Sequence, residues 1–89
     1  MDLVFDIETD DLQATKVWCI VAQNPDSGEI FKFPPHKLEE GYKFLTTADR
    51  LIGHNIIGFD IPMVEKFGGI DLSNKEVIDT LVLSRLFNP

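Results

Sequence analysis

The stretch Val4-Phe5-Asp6-Ile7-Glu8-Thr9, VFDIET, places two carboxylates at the end of an apolar run. Period-two alternation puts Leu3, Phe5 and Ile7 on one face of a strand and Val4, Asp6 and Glu8 on the other. The apolar set predicts a buried face, and both acids leave the opposite one together. Like charges so placed repel each other and resist desolvation unless something positive joins them. A hard cation with oxygen ligands, Mg²⁺ or Mn²⁺, meets that need better than a soft-ligand metal. A solvated strand end meets it too, since an acidic chain produces such pairs by accident, as it does again at Glu8 and Asp10.

Outward from this strand, Val17 to Ala22 (VWCIVA) is a continuous apolar run suited to a buried strand. The turn-forming NPDSG at Asn24 to Gly28 then leads to a third strand, EIFKF, at Glu29 to Phe33. Three antiparallel strands therefore open the domain. After Pro34-Pro35 the period becomes helical, with Leu38, Tyr42 and Leu45 at i, i+4 and i+7, although Gly41 weakens that helix. RLIGHN at Arg50 to Asn55 is a short strand with a polar end, followed by a loop and a helix from about Pro62 that Gly68-Gly69 terminates. A last strand at Val77-Ile78 runs into DTLVLSRLF, where Asp79 or Thr80 can cap a helix carrying Leu81 to Phe87. The order βββαβαβα predicts an α/β sandwich around a mixed sheet.

Eighty-nine residues, 44% hydrophobic and 26% charged, suit one small domain. Eight basic against fifteen acidic residues give a net charge of −7, the wrong sign for gripping a phosphate backbone unaided. Carboxylates clustered around divalent cations would reverse that sign locally. Neither a membrane-spanning run nor a basic leader with a cleavage site is visible, so a cytoplasmic location and no membrane partner are expected. The lone Cys19, among Trp18, Ile20 and Val21, predicts a buried packing thiol.

A second constellation, GHNIIGFDIP at Gly53 to Pro62, again sets polar residues and an acid after a strand. Sites in α/β sheets form where strands finish and loops converge, which lets Asp60 face Asp6 and Glu8. Helix capping by Asp60, and an Asn55 that satisfies only its own turn, explain the same residues without a site. His54 and His36 receive no chemistry, and Trp18, Met63, Phe67 and the leucines of the last helix are expected in the core. Lys16, Lys32, Lys43 and Arg50 are too scattered to define a nucleic-acid groove.

Asp6-Ile7-Glu8-Thr9, together with Asn55-Ile56-Ile57-Gly58-Phe59-Asp60, resembles the first two motifs of the proofreading 3′-5′ exonucleases, the DEDD or DnaQ-like group with an RNase H-like fold. The Asn-x-x-x-aromatic-Asp spacing and the closing IDTLVLSRLF at Ile78 to Phe87 are most similar to the exonuclease domain of phage family A DNA polymerases. The resemblance implies that Asp6 bridges two divalent metals, that Glu8 holds the metal activating water, and that Asp60 supports the second. It implies contacts to the terminal nucleotide from Thr9 and Leu12, the latter an apolar wedge, with Asn55 shaping the site. Asp79 is assigned to helix capping. The implied cofactor is Mg²⁺ or Mn²⁺, and the implied substrate is the 3′ end of single-stranded DNA.

Members of that family carry a third motif with a fourth acid and a Tyr or His that positions water, and these 89 residues end before it. The expectation is therefore a partial exonuclease domain over residues 1–89, truncated before the last helices and inactive or nearly so alone. Such a piece could be completed by the remainder of a split polymerase. The alternative is a non-enzymatic binding module that docks on a polymerase or host protein.

Overall fold

The computed structural model describes residues 1–10 and 16–87. Five strands form one mixed sheet: β1 (Asp2–Thr9), β2 (Val17–Gln23), β3 (Ile30–Phe33), β4 (Arg50–Gly53) and β5 (Glu76–Asp79). Their spatial order is β3-β2-β1-β4-β5. Antiparallel pairing joins β1 to β2 and β2 to β3, whereas β4 runs parallel to both β1 and β5. Helices α1 (Leu38–Leu45), α2 (Ile61–Gly68) and α3 (Thr80–Phe87) complete the expected α/β, RNase H-like order. Because β1, β4 and β5 are parallel, their carboxyl ends all lie at one edge of the sheet.

The alternation in VFDIET holds: Leu3, Phe5 and Ile7 are buried and Asp6 and Glu8 exposed. The strand is longer than its apolar core, so both acids lie within β1 rather than beyond it. Leu3, Phe5, Ile7, Ile20, Ala22 and Leu51 meet Tyr42 and Leu45 of α1 and Val64 of α2 in the core. Each fully buried side chain of this kind contributes about 1.5–3 kcal/mol by leaving water. Gly41 does not break α1, since a Cβ there would lie 2.9 Å from the Phe33 ring and 3.0 Å from Ile20. Its lack of a side chain is what lets the helix approach the sheet closely. Phe44 fills the rest of that contact against Phe31 and Phe33, with ring centroids 4.5 and 5.6 Å away.

Several expectations for the core are corrected. The apolar run of β2 is not buried throughout: Trp18 is 44% exposed and Val21 37%. Cys19 is only half-buried. One face of the sheet takes α1, while Val4, Asp6, Glu8, Val21 and Gln23 stand on the other. Val82, Leu83 and Leu86 of α3 are also exposed, Leu86 by 70%, so the leucines of the last helix are not core. Met63 and Phe67 are half-buried against the core, close to expectation. None of the described helices is long and apolar enough to cross a membrane.

Candidate active site at the carboxyl ends of the parallel strands

The site starts from a mismatch in strand length. The parallel ladder between β1 and β4 runs only from Asp2↔Arg50 to Val4↔Ile52, while β1 continues to Thr9. Beyond Val4 the edge of β1 is therefore open on the β4 side, and backbone polar groups there need other partners. After Gly53 the chain leaves the sheet and crosses that edge. A Cβ at Gly53 would lie 2.4 Å from Ile56 Cγ2 and 2.9 Å from the Phe5 carbonyl oxygen, so only glycine permits the crossing. Ile56 is then fully buried and anchors the turn.

The segment expected to be a loop is a single π-helical turn, Ile56–Asp60, entered through Asn55 at φ 60°, ψ 30°. Asparagine tolerates this left-handed conformation better than other side-chain-bearing residues. The turn delivers Asp60 to β1. Its Oδ2 accepts the Ile7 N–H at 3.1 Å, filling the vacancy left by β4. Helix capping does not explain Asp60, which makes no side-chain cap hydrogen bond to α2. The Ile7 contact also brings its carboxyl against that of Asp6.

Burial pushes the Asp60 carboxyl up to about 7; the Ile7 N–H opposes the shift, and the charge of Asp6 adds to it. The protein thus offers this anion too little positive potential of its own. Among the described residues no Lys or Arg forms an ion pair with Asp6, Glu8 or Asp60. At the opposite end of the sheet the contrast is plain: Arg50 lies 3.6 Å from Asp2 and 3.3 Å from Glu76. Two adjacent carboxyl groups, one of them pushed up by burial, fit a hard divalent cation. They do not complete a cage, because no three His, Cys, Asp or Glu side chains among the described residues converge enough to hold an ion. Glu8 leaves the same face as Asp6, two residues further along β1, and is exposed.

The remaining candidates fall around this pair. Thr9 is half-buried on the last rung of β1, opposite Val17. Leu12 lies outside the described residues. Asn55 is exposed, and its carbonyl accepts the Phe59 N–H at 3.1 Å, which closes the turn. Asp79 caps α3 as expected, accepting the Leu81 N–H at 2.9 Å. It does more than the sequence revealed, because its two oxygens also accept the N–H groups of Asn55 at 2.8 Å and Ile57 at 2.9 Å. Burial works against its charge, but the backbone donors outweigh burial and hold the carboxyl below its usual range. Asp79 therefore fixes the entry of the turn that presents Asp60. His54 Nδ1 lies 2.9 Å from the Thr80 hydroxyl and joins β4 to the start of α3.

No family model and no curated protein matches the chain. Among solved structures, the family B DNA polymerase of the hyperthermophilic archaeon Pyrobaculum calidifontis matches 97% of this chain with a TM-score of 0.74 and 18% identity. The chain spans 16% of that polymerase's length. The shared fold is thus one that also occurs within a DNA polymerase.

Proposed function

We propose that these 89 residues are the amino-terminal part of the 3′-5′ proofreading exonuclease domain of a phage-type family A DNA polymerase. The observation that carries this reading is the Asp60 carboxyl bonded to the Ile7 N–H beside Asp6, which joins the two sequence motifs into one acidic cluster. The polymerase neighbour supports the fold and the general setting. Asp6, Glu8 and Asp60 would hold Mg²⁺ or Mn²⁺, Glu8 from the same face of β1 as Asp6. When bound, two such ions would activate water and stabilise the leaving 3′ oxygen. The chain's own residues supply the rest: Asp79 and Asn55 hold the Asp60 turn in place, and Thr9 and Leu12 meet the terminal nucleotide. The two motifs by themselves supply neither the fourth acid nor the water-orienting Tyr or His that the resemblance implies, whose general-base contribution is typically about 10²–10⁴-fold. Weak hydrolysis by this chain alone follows.

Mn²⁺ titration by calorimetry, paired with degradation of 3′ ends in single-stranded DNA, tests the assignment. Expected are Mn²⁺ binding that disappears in Asp6→Ala and slow or absent hydrolysis. Absence of any Mn²⁺ binding by the unaltered chain, or degradation indifferent to Asp6 and Glu8, would sink the site. Robust degradation abolished by Asp6→Ala would keep the site and overturn only the weak activity.

A second reading, a module that docks on the rest of a polymerase or on a host protein, is favoured by the exposed Val82, Leu83 and Leu86 of α3. The two readings are compatible. Sedimentation of the isolated chain as a strict monomer without exposed apolar surface would count against docking.

A further inference from the structure

The antiparallel ladder of β1 and β2 slips at its end. Glu8 is opposite Cys19, but the next residue of β1, Thr9, is opposite Val17, leaving Trp18 with no partner. This is the two-against-one count of a β-bulge, a device that re-aims a side chain. Its effect can be read from burial. Val17 and Ile20 are both in the core, so Trp18 and Cys19 between them both turn away from it. An unbroken period from Ile20 would have sent Trp18 inward; the bulge instead exposes its indole on the side where Glu8 and Asp6 emerge. Over the ring lies the Lys16 ammonium, 4.4 Å from its centroid. Lys16 is held in turn by its backbone N–H, donated to Asp10 Oδ1 at 3.0 Å, and by its carbonyl, which accepts the Asp10 N–H at 3.3 Å.

We propose that Trp18 and Lys16 form a stacking surface for an unpaired nucleobase of the single strand whose 3′ end reaches the carboxylates. The proposal rests on the nuclease reading of that site. A large aromatic exposed on the sheet face from which Glu8 and Asp6 emerge is suited to the π-face of any base. Lys16 adds a positive charge for the neighbouring phosphate in a chain whose net charge is −7. Stacking of this kind tolerates any sequence, which proofreading requires.

The chain carries a single tryptophan, so its emission reports on Trp18 alone. The probe is a thymidine octanucleotide with Mg²⁺, used unlabelled for emission and with a 5′ fluorophore for anisotropy. Expected are saturable quenching, binding weakened about tenfold by Trp18→Ala and largely restored by Trp18→Phe. Lys16→Ala should weaken binding less and remove about one phosphate's worth of salt dependence. An octamer of abasic sugar-phosphate should bind without quenching. Circular dichroism of Trp18→Ala should match the unaltered chain, because the indole is outside the core. Octanucleotide binding with unchanged emission and no loss in Trp18→Ala would overturn the stacking surface and leave the nuclease site standing. No octanucleotide binding, with Mn²⁺ still bound at Asp6, would overturn both the stacking surface and DNA as the ligand.

Discussion

Asp60 and Asp79 are both 4% exposed and lie past and at the carboxyl ends of adjacent parallel strands, yet the protein treats their charges in opposite ways. Asp79 is encircled by the N–H groups of Asn55, Ile57 and Leu81, which outweigh burial and keep it ionised. Asp60 has the Ile7 N–H as its partner in β1 and the Asp6 carboxyl as its neighbour, and burial raises it to about 7. One anion is completed by the fold; the other is left short of positive charge. Residue type and exposure are the same, but Asp60 is more deeply surrounded, lies beside the like charge of Asp6 and has fewer donors, and these together decide the outcome. The difference separates a carboxylate that the fold completes from one that, on the proposed reading, a cation would complete.

The largest way to break this comparison is at Asp79. Asp79→Ala strands three part-buried backbone N–H groups, each costing toward the lower end of the about 1–3 kcal/mol of a fully buried unpaired donor. A loss of about 3–6 kcal/mol is expected in urea denaturation, enough to unfold much of so small a domain. A loss below about 1 kcal/mol would show that Asp79 does not hold the turn.

Next is the dependence on pH, where the two residues should differ in sign. The folded Asp60 carboxyl binds its proton more tightly than the unfolded one. Its contribution is therefore fully present below the ordinary aspartate range, near pH 4, and is lost as pH rises through about 7. Three pK units set a ceiling of about 4 kcal/mol on that loss. Asp60→Asn should flatten this slope and make the domain more stable than the unaltered chain at pH 8 without metal. Asp79, held low, contributes above the ordinary aspartate range and loses that contribution as pH falls through its lowered folded value. Parallel stability profiles for Asp60→Asn and the unaltered chain between pH 4 and 8 would refute the unfinished anion.

The sharing of one face by Asp6 and Glu8 was legible because a strand's period depends on neighbouring residues alone. The meeting of Asp60 with β1 was legible only as a rule about strand ends, and the specific Ile7 contact depends on β4 being shorter than β1. For Asp79 the local half of its role, capping Leu81, could be read from the chain. The other half reaches back 24 residues to Asn55 and 22 to Ile57, and requires the parallel register of Gly53 with Asp79. Trp18 was misplaced for a related reason: one extra residue in β2 reverses the alternation, and nothing in VWCIVA marks where the bulge falls. The exposed leucines of α3 follow a helical pattern that promises a covering surface, which the described residues do not provide.

The smallest effect sharpens the comparison at the residue connecting the two acids. Asn55 donates its N–H to Asp79 and begins the turn that ends at Asp60, with its backbone in the left-handed region. If its local task is conformational, Asn55→Gly should change stability by no more than a few tenths of a kcal/mol, because glycine adopts this geometry freely. Asn55→Ala keeps the N–H but places a Cβ in a disfavoured conformation, at a cost of about 1 kcal/mol. Equal losses in both variants would assign the effect to the amide side chain instead. The metal readout separates these alternatives further. A turn loosened by backbone strain weakens Mn²⁺ binding in Asn55→Ala but not in Asn55→Gly, whereas a side chain that acts on the substrate leaves Mn²⁺ binding intact in both and impairs only the DNA complex.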